Sequence, residues 1–316
     1  MNARSLGFAA LASFGLGSAH AQTPATDDLA VWHVRDGIYM IVGAGGNTTV
    51  QVGEDGVLVV DTKLAFAEDA LLAAIRKISD KPIRYIVNTH WHADHVGSNL
   101  GIAKAGSTIA GGNVSGAITD AGEGAAVIAH ENVLVRMSGQ ENPPPFEAWP
   151  TDTLFTPRKD LFFDGEAVEI LHQPAAHTDG DSLVFFRRSD VVSTGDVFMT
   201  TGYPVIRPED GGSIDGIVAA LNRIIEITVP EEKQEGGTLV IPGHGRLCDE
   251  ADVVEYRDMV TIIRDRIRSM AEMGMTLRQV QAAKPTADYD GRYGTTSGRW
   301  TTEQFVAAAY ESLKNE

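Results

Sequence analysis

His90-Trp91-His92-Ala93-Asp94-His95 places four metal-ligand side chains within six residues, directly after the apolar run Ile83 to Val87 and the polar step Asn88-Thr89. A buried strand that empties into a polar cluster is the usual layout of an α/β site. His90 and His92, two residues apart, share one side of an extended segment. Asp94 and His95 turn away as the backbone enters a loop or helix. One ion is not easily chelated by all four from so short a stretch. Two neighbouring ions are, with His90 and His92 on the first and Asp94 and His95 on the second. Neutral imidazole suits Zn²⁺, and a hard carboxylate helps hold an ion whose bound water is the reagent.

Outward from this stretch, short β-type runs recur at Ile38 to Val42, Thr48 to Val52, Val57 to Val60, Leu183 to Phe186, Val191 to Ser193 and Thr238 to Ile241. Each is nearly continuous in apolar residues, as suits a strand covered on both faces. Phe66 to Ile78, Ile214 to Ile227, Ala251 to Met273 and Thr302 to Leu313 carry helical apolar spacing. Strands and helices alternate in two successive halves, which predicts a layered α/β fold with sheets inside and helices outside.

Three further ligand candidates stand beside strands and next to glycine: His177 in Ala176-His177-Thr178-Asp179-Gly180, Asp196 in Thr194-Gly195-Asp196, and His244 in Gly243-His244-Gly245. Taken together with His90-x-His92-x-Asp94-His95, and with Asp61 at the end of Val57 to Val60, they resemble the metallo-β-lactamase-fold hydrolase superfamily, in a B1-like branch with Asp in place of the Cys ligand. The resemblance covers roughly Trp32 to Arg246, and the helices beyond resemble accessory segments of bacterial members. It implies an αββα sandwich of two similar halves, with a dinuclear site at one edge between the sheets. It implies two Zn²⁺ per chain: His90, His92 and His177 on the first, Asp94, His95 and His244 on the second, Asp196 bridging both, and Asp61 acting from behind the ligands.

The implied chemistry is that of two Zn²⁺ roughly 3.5–4 Å apart sharing a hydroxide that attacks a carbonyl. Asp94 would orient that nucleophile and then help protonate the leaving group. No Gly-x-Ser-x-Gly elbow offers a rival nucleophile. The expected substrate is a small molecule: a β-lactam, a lactone or another ester or amide. Met199 stands where B1 β-lactamases carry a carboxylate-binding Lys, and Gly212-Ser213 replaces their Gly-Asn pair. Neutral lactones or esters are therefore expected to be hydrolysed at least as well as penicillins, with Arg207 the alternative base should carboxylates bind. An iron-dependent oxidoreductase of the persulfide-dioxygenase type is the alternative on the same fold. Flavin-linked diiron members usually carry Glu at the position of His92, which disfavours an oxygen-reducing diiron role here. Ala44 to Asn47, Trp91 and Gly202-Tyr203-Pro204 are candidate pocket walls.

The 316 residues carry a formal net charge of −17, with 43% hydrophobic and 22% charged residues. Such a composition is globular. The charge disfavours nucleic acid, whose binders need a basic patch, and an anionic membrane surface. Residues 1–21, with Arg4, the apolar stretch Leu6 to Gly17 and the Ala19-His20-Ala21 site, read as a cleaved secretory signal. Losing Arg4 takes the formal charge from −17 to −18. Periplasmic or secreted localisation is expected, with 22–31 as linker and 32–316 as the hydrolase domain with its C-terminal helices. Lone Cys248, beside Asp249 and Glu250, reads as an inert structural thiol. His33, His130 and His172 lie outside any ligand-like cluster and read as structural.

Overall fold

The structure, a computed structural model, describes residues 29–108 and 124–314. The expected signal 1–21, the linker residues up to 28 and most of the Gly-Ala-rich stretch around 104–126 lie outside the described residues. The first sheet follows chain order: β1 (Ala30–Arg35), β2 (Ile38–Val42), β3 (Thr48–Val52), β4 (Val57–Val60), β5 (Ile83–Val87), β6 (Ala126–His130) and β7 (Asp152–Leu154). Its first four strands form an antiparallel meander. From β4 onward the pairing is parallel, because helix α1 (Glu68–Ile78) carries the chain back between β4 and β5. Short helices α2 (Ala93–Val96), α3 (Asn99–Lys104) and α4 (Glu131–Ser138) complete this half.

The second half repeats the scheme. Strands β8 (Arg158–Phe163), β9 (Glu166–Gln173), β10 (Asp181–Phe186) and β11 (Val191–Ser193) are antiparallel neighbours. Helix α5 (Ile214–Ile227) then crosses back to β12 (Leu239–Ile241), parallel to β11, and β13 (Cys248–Asp249) forms the edge. Helices α6 (Glu250–Glu272), α7 (Leu277–Ala283), α8 (Asp290–Tyr293) and α9 (Thr302–Lys314) follow. A capping box between Asp249 and Asp252 starts α6, a device worth about 1 kcal/mol.

Why the apolar runs are continuous is visible in β4 and β10. Leu58 and Val60 face the other sheet, where they meet Val184, Phe186 and Ile170, while Val57 and Val59 pack on Leu71 and Ile75 of α1. Across the second sheet, Leu183 and Phe185 turn outward onto α5, α6 and α9 through Ile217, Leu221, Val260 and Phe305. Each residue of these two strands is thus buried on one side or the other, giving helix, sheet, sheet and helix layers. The αββα sandwich of two similar halves expected from the sequence is the fold observed.

Two details differ from the sequence reading. β1 begins at Ala30, two residues before Trp32, and β9, holding His172, is a strand that the runs above do not include. β8 has no apolar run to announce it, since only alternate residues are covered. Among the described residues no helix is long and apolar enough to cross a membrane.

Parallel pairing is what gathers the site. Val60 of β4 lies opposite Val87 of β5, so Asp61 and the His90–His95 segment leave the first sheet at the same edge. Ser193 of β11 lies opposite Ile241 of β12, so Asp196 and His244 leave the second sheet together. Hydrogen bonds from Asn47 N to Gly243 O (2.7 Å) and from Ser182 N to Thr89 O (2.8 Å) bind the two edges to one another.

Candidate metal centre

All seven residues singled out as ligands converge at this edge. His90, His92 and His177 form one group and Asp94, His95 and His244 another, each with its ligand atoms within 4.8 Å of one another. Asp196 stands between them. Its Oδ2 lies 4.0 Å from His90 Nε2 and 3.7 Å from His177 Nε2, while its Oδ1 lies 3.3 Å from His95 Nε2 and 3.4 Å from His244 Nε2. One carboxylate oxygen therefore addresses each group.

The outer nitrogen of three of the rings is tied to the protein, which settles which nitrogen of those rings faces the centre. His90 Nδ1 donates to Thr89 Oγ1 (3.1 Å), His95 Nδ1 to Asp61 Oδ2 (2.7 Å) and His177 Nδ1 to Val205 O (2.6 Å). Those bonds, by which the tautomers are assigned, aim Nε2 of all three inward. His92 is turned the other way. Its Nε2 lies 3.7 Å from Asp210 Oδ2, and its Nδ1 lies 2.8 Å from His177 Nε2. His90 Nε2, His95 Nε2 and Asp196 Oδ1 are buried and have no hydrogen-bond partner. Buried polar atoms are ordinarily satisfied, and converging unpaired nitrogen and oxygen donors fit divalent metal ions.

Asp61 is the organiser behind the ligands. Held at positive φ (62°) just after β4, it accepts from Thr89 N (2.8 Å), Thr89 Oγ1 (2.7 Å) and His95 Nδ1. Gly46 and Gly243 are required by close approach. A Cβ on Gly46 would stand 2.3 Å from His95 Cε1, and one on Gly243 would stand 2.1 Å from Asp196 Oδ1. Buried Lys63 donates to the carbonyls of Ile41 and Gly46 and so holds the Ala44–Asn47 loop beneath His95. Burial pushes its ammonium down to about 7, against a smaller upward pull from Asp61.

Charges at the centre sort into two kinds. Burial, reinforced by neighbouring imidazoles, holds His90 well below the ordinary range, and burial takes His177 down to about 4, so both are neutral donors. Burial also opposes charge on Asp196, yet His95 and His244 outweigh it and keep that carboxylate ionised. Burial opposes charge on Asp94 too, but the hydrogen bond with His244 and the nearby His95 and His244 rings together hold it at about 2. Against desolvation, Asp196 and Asp61 lift His95 well above the ordinary range, and Asp196 and Asp94 lift His244 to about 9, so protons on these two rings balance the two carboxylates where a bound cation would otherwise do so.

Beyond the ligands, the expected walls are only partly confirmed. A cavity of about 380 Å³ opens from His92, Asp94, His177, Asp196 and His244; Gly202 and Tyr203 line it as expected, Pro204 does not, and Met199 lines it too. Ala44 to Asn47 do not line it; they buttress His95 instead. Trp91 faces a separate depression and packs near Trp149. Arg207 lines the cavity, and so do Arg299 and Trp300, which sequence reasoning missed because the segment carries no motif. Asp210 was missed as well; Arg136 bonds both Asp210 (2.9 Å) and Asp179 (2.7 Å) and fixes it beside His92. Asp181, which accepts from His177 N and Thr178 N, shapes the turn that aims His177. Cys248 is buried, with its thiol pushed up to about 12 by burial, and takes no part. His130 stacks on His172 and caps α4, away from the centre.

A four-layer sandwich with a histidine–aspartate cluster at one sheet edge defines a hydrolase-type fold with a metal-binding site. The chain belongs to the metallo-beta-lactamase superfamily, whose sequence profile matches residues 41–249, more than half of its length. No curated protein sequence matches it. Among solved structures it is similar to the stereoselective inverting sec-alkylsulfatase Pisa1 from Pseudomonas sp., at 15% identity and a TM-score of 0.66, over 90% of this chain and 50% of that one. The chain thus spans about half the length of the alkylsulfatase. It is also similar to a metallo-beta-lactamase from Pontibacter korlensis (15% identity, TM-score 0.56, 74% of this chain and 99% of that one). The DIM-1 metallo-beta-lactamase shows the same likeness (17% identity, TM-score 0.54, 74% and 97%). At these identities the likeness is one of fold.

Proposed function

We propose that the chain is an exported dizinc hydrolase that cleaves a lactone, another ester or a β-lactam at its carbonyl carbon. The observation that carries this reading is Asp196, whose two oxygens address two separate groups of donors. His90, His92 and His177 would hold one ion, Asp94, His95 and His244 the other, with Asp196 shared. Such a pair of ions supplies Lewis acidity toward the substrate oxygen and lowers the pKa of water to about 7.

The chain's own residues do the rest. Asp61, Thr89 and the Val205 carbonyl lock the rings so that each donor lone pair is presented without reorganisation. Asp94 reaches the cavity with its carboxylate ionised, so Oδ2 can accept a proton from the attacking water and return it to the leaving group. Met199, Tyr203 and Trp300 give the cavity an apolar side that restricts bulk water. The likeness to lactamases and to an alkylsulfatase supports hydrolysis without choosing the ester.

The test is metal analysis of the purified protein together with a nitrocefin, lactone and phosphodiester panel. Two zinc ions per chain with carbonyl hydrolysis are expected. Iron content with substrate-dependent oxygen consumption would overturn the reading in favour of the oxidoreductase.

A further inference from the structure

We propose that Arg207 and Arg299 form an oxyanion subsite in the cavity, selecting substrates that carry a carboxylate or sulfate group away from the bond that is cleaved. The inference rests on the hydrolase reading and names the substrate class of that site. Arg207 is positioned by its backbone: its N donates to His177 O (3.1 Å), and Asp210 N and Gly212 N donate to its carbonyl. Its guanidinium carbon lies 5.7 Å from the centre of the Trp300 ring, and Trp300 is itself pinned by a bond from Nε1 to Pro204 O (3.1 Å). Stacking on the indole occupies the guanidinium face and leaves its N–H edges for a ligand.

Those edges are largely unspent. Arg207 Nε is buried with no hydrogen-bond partner, and the nearest carboxylate, on exposed Glu209, is 3.6 Å from Nη1. Arg299 lines the same cavity and makes no hydrogen bond or ion pair among the described residues. In a chain with 43 acidic and 26 basic residues, arginines readily find carboxylates, as Arg136, Arg246 and Arg264 do. Two guanidinium groups beside one cavity, one holding only a 3.6 Å pair with exposed Glu209 and the other none among the described residues, match a planar or tetrahedral oxyanion, which arginine binds through paired N–H groups. Met199 lines the cavity without charge, and the two arginines supply positive charge beside it. Arg299 lies beyond residues 41–249, so the C-terminal segment completes the pocket.

The zinc-loaded protein is assayed on mono-4-nitrophenyl glutarate, which bears a remote carboxylate, and on neutral 4-nitrophenyl acetate. Wild type should favour the glutarate ester in kcat/KM. Arg207→Ala and Arg299→Ala should each reduce that ratio about tenfold, equal to about 1.4 kcal/mol, with Arg207→Lys intermediate. Because the ratio is internal to each protein, partial misfolding does not alter it. An unchanged ratio in both alanine variants overturns the subsite. If neither ester is cleaved, the hydrolase reading is judged separately by the nitrocefin, lactone and phosphodiester panel. Calorimetric titration with glutarate and with inorganic sulfate then decides the subsite. Binding that weakens in both variants supports it and shows which anion it prefers, and equal binding to wild type and variants overturns it.

Discussion

Asp61→Asn tests whether the carboxylate behind His95 sets the ligand set. The substitution keeps size and one acceptor, so Thr89 N retains its partner on Oδ1. At the Oδ2 position, however, an NH₂ group would face two donors, Thr89 Oγ1–H and His95 Nδ1–H. His95 relieves that clash by moving its proton from Nδ1 to Nε2, which converts the inward lone pair into an N–H. Loss of such an outer partner typically weakens metal binding 10–100-fold, which is about 1.4–2.8 kcal/mol at 1.4 kcal/mol per tenfold. The loss of one charge-assisted hydrogen bond, about 1.5–3 kcal/mol, gives the same size. The effect should fall on the group containing His95 and spare the group of His90, His92 and His177. Competition against a chromophoric zinc chelator resolves the two affinities, and ¹⁵N chemical shifts report the His95 tautomer. Two wild-type affinities with the tautomer unchanged would refute the argument.

Asp196→Ala, which removes both carboxylate oxygens, should leave no more than one ion bound and reduce kcat/KM on the order of 10²–10³-fold; full activity with one metal per chain would exclude a bridging role. Chelator should abolish hydrolysis and added Zn²⁺ restore it, measured on whichever ester the panel identifies. Sequencing of exported protein should find Gln22 at the N-terminus, and material beginning at Met1 would count against the signal reading. Burial and stacked His172 push His130 down to about 4 from its ordinary 6.5, so between those values the unfolded chain binds more protons and stability falls as pH drops. His130→Asn keeps an acceptor for Asn132 N at the α4 cap without titrating there, so its Tm should fall less than that of wild type across the same window.

Much of the fold is legible in the residues because both sheets are covered on two faces. Ile38–Val42, Thr48–Val52 and Val57–Val60 read as strands to the residue, since such burial removes polar alternation. β8 is not legible: Arg158, Asp160 and Phe162 face outward while only alternate residues are covered. The ligands are legible for another reason. His90-x-His92-x-Asp94-His95 is local chemistry, dense enough to announce itself; His177, Asp196 and His244 stand beside strands, the last two next to glycine and His177 three residues before Gly180. The supports are not legible. Arg136 and Asp210 are 74 positions apart, and neither sits in a motif.

The sequence by itself determined which side chains could hold metal and that they would leave buried strands, because ligand type and apolar runs are local properties. Only the tertiary structure decided how they share the work. Strand register set one Asp196 oxygen toward each group, and the ring nitrogens were oriented by partners as distant in sequence as Asp61 from His95 and Val205 from His177. The loop Ala44–Asn47 became a buttress because Lys63 folds under it, and the cavity acquired Arg299 and Trp300 because the C-terminal segment packs back beside His177 and Arg207. Such placements depend on packing between segments far apart in the chain, where no spacing rule operates.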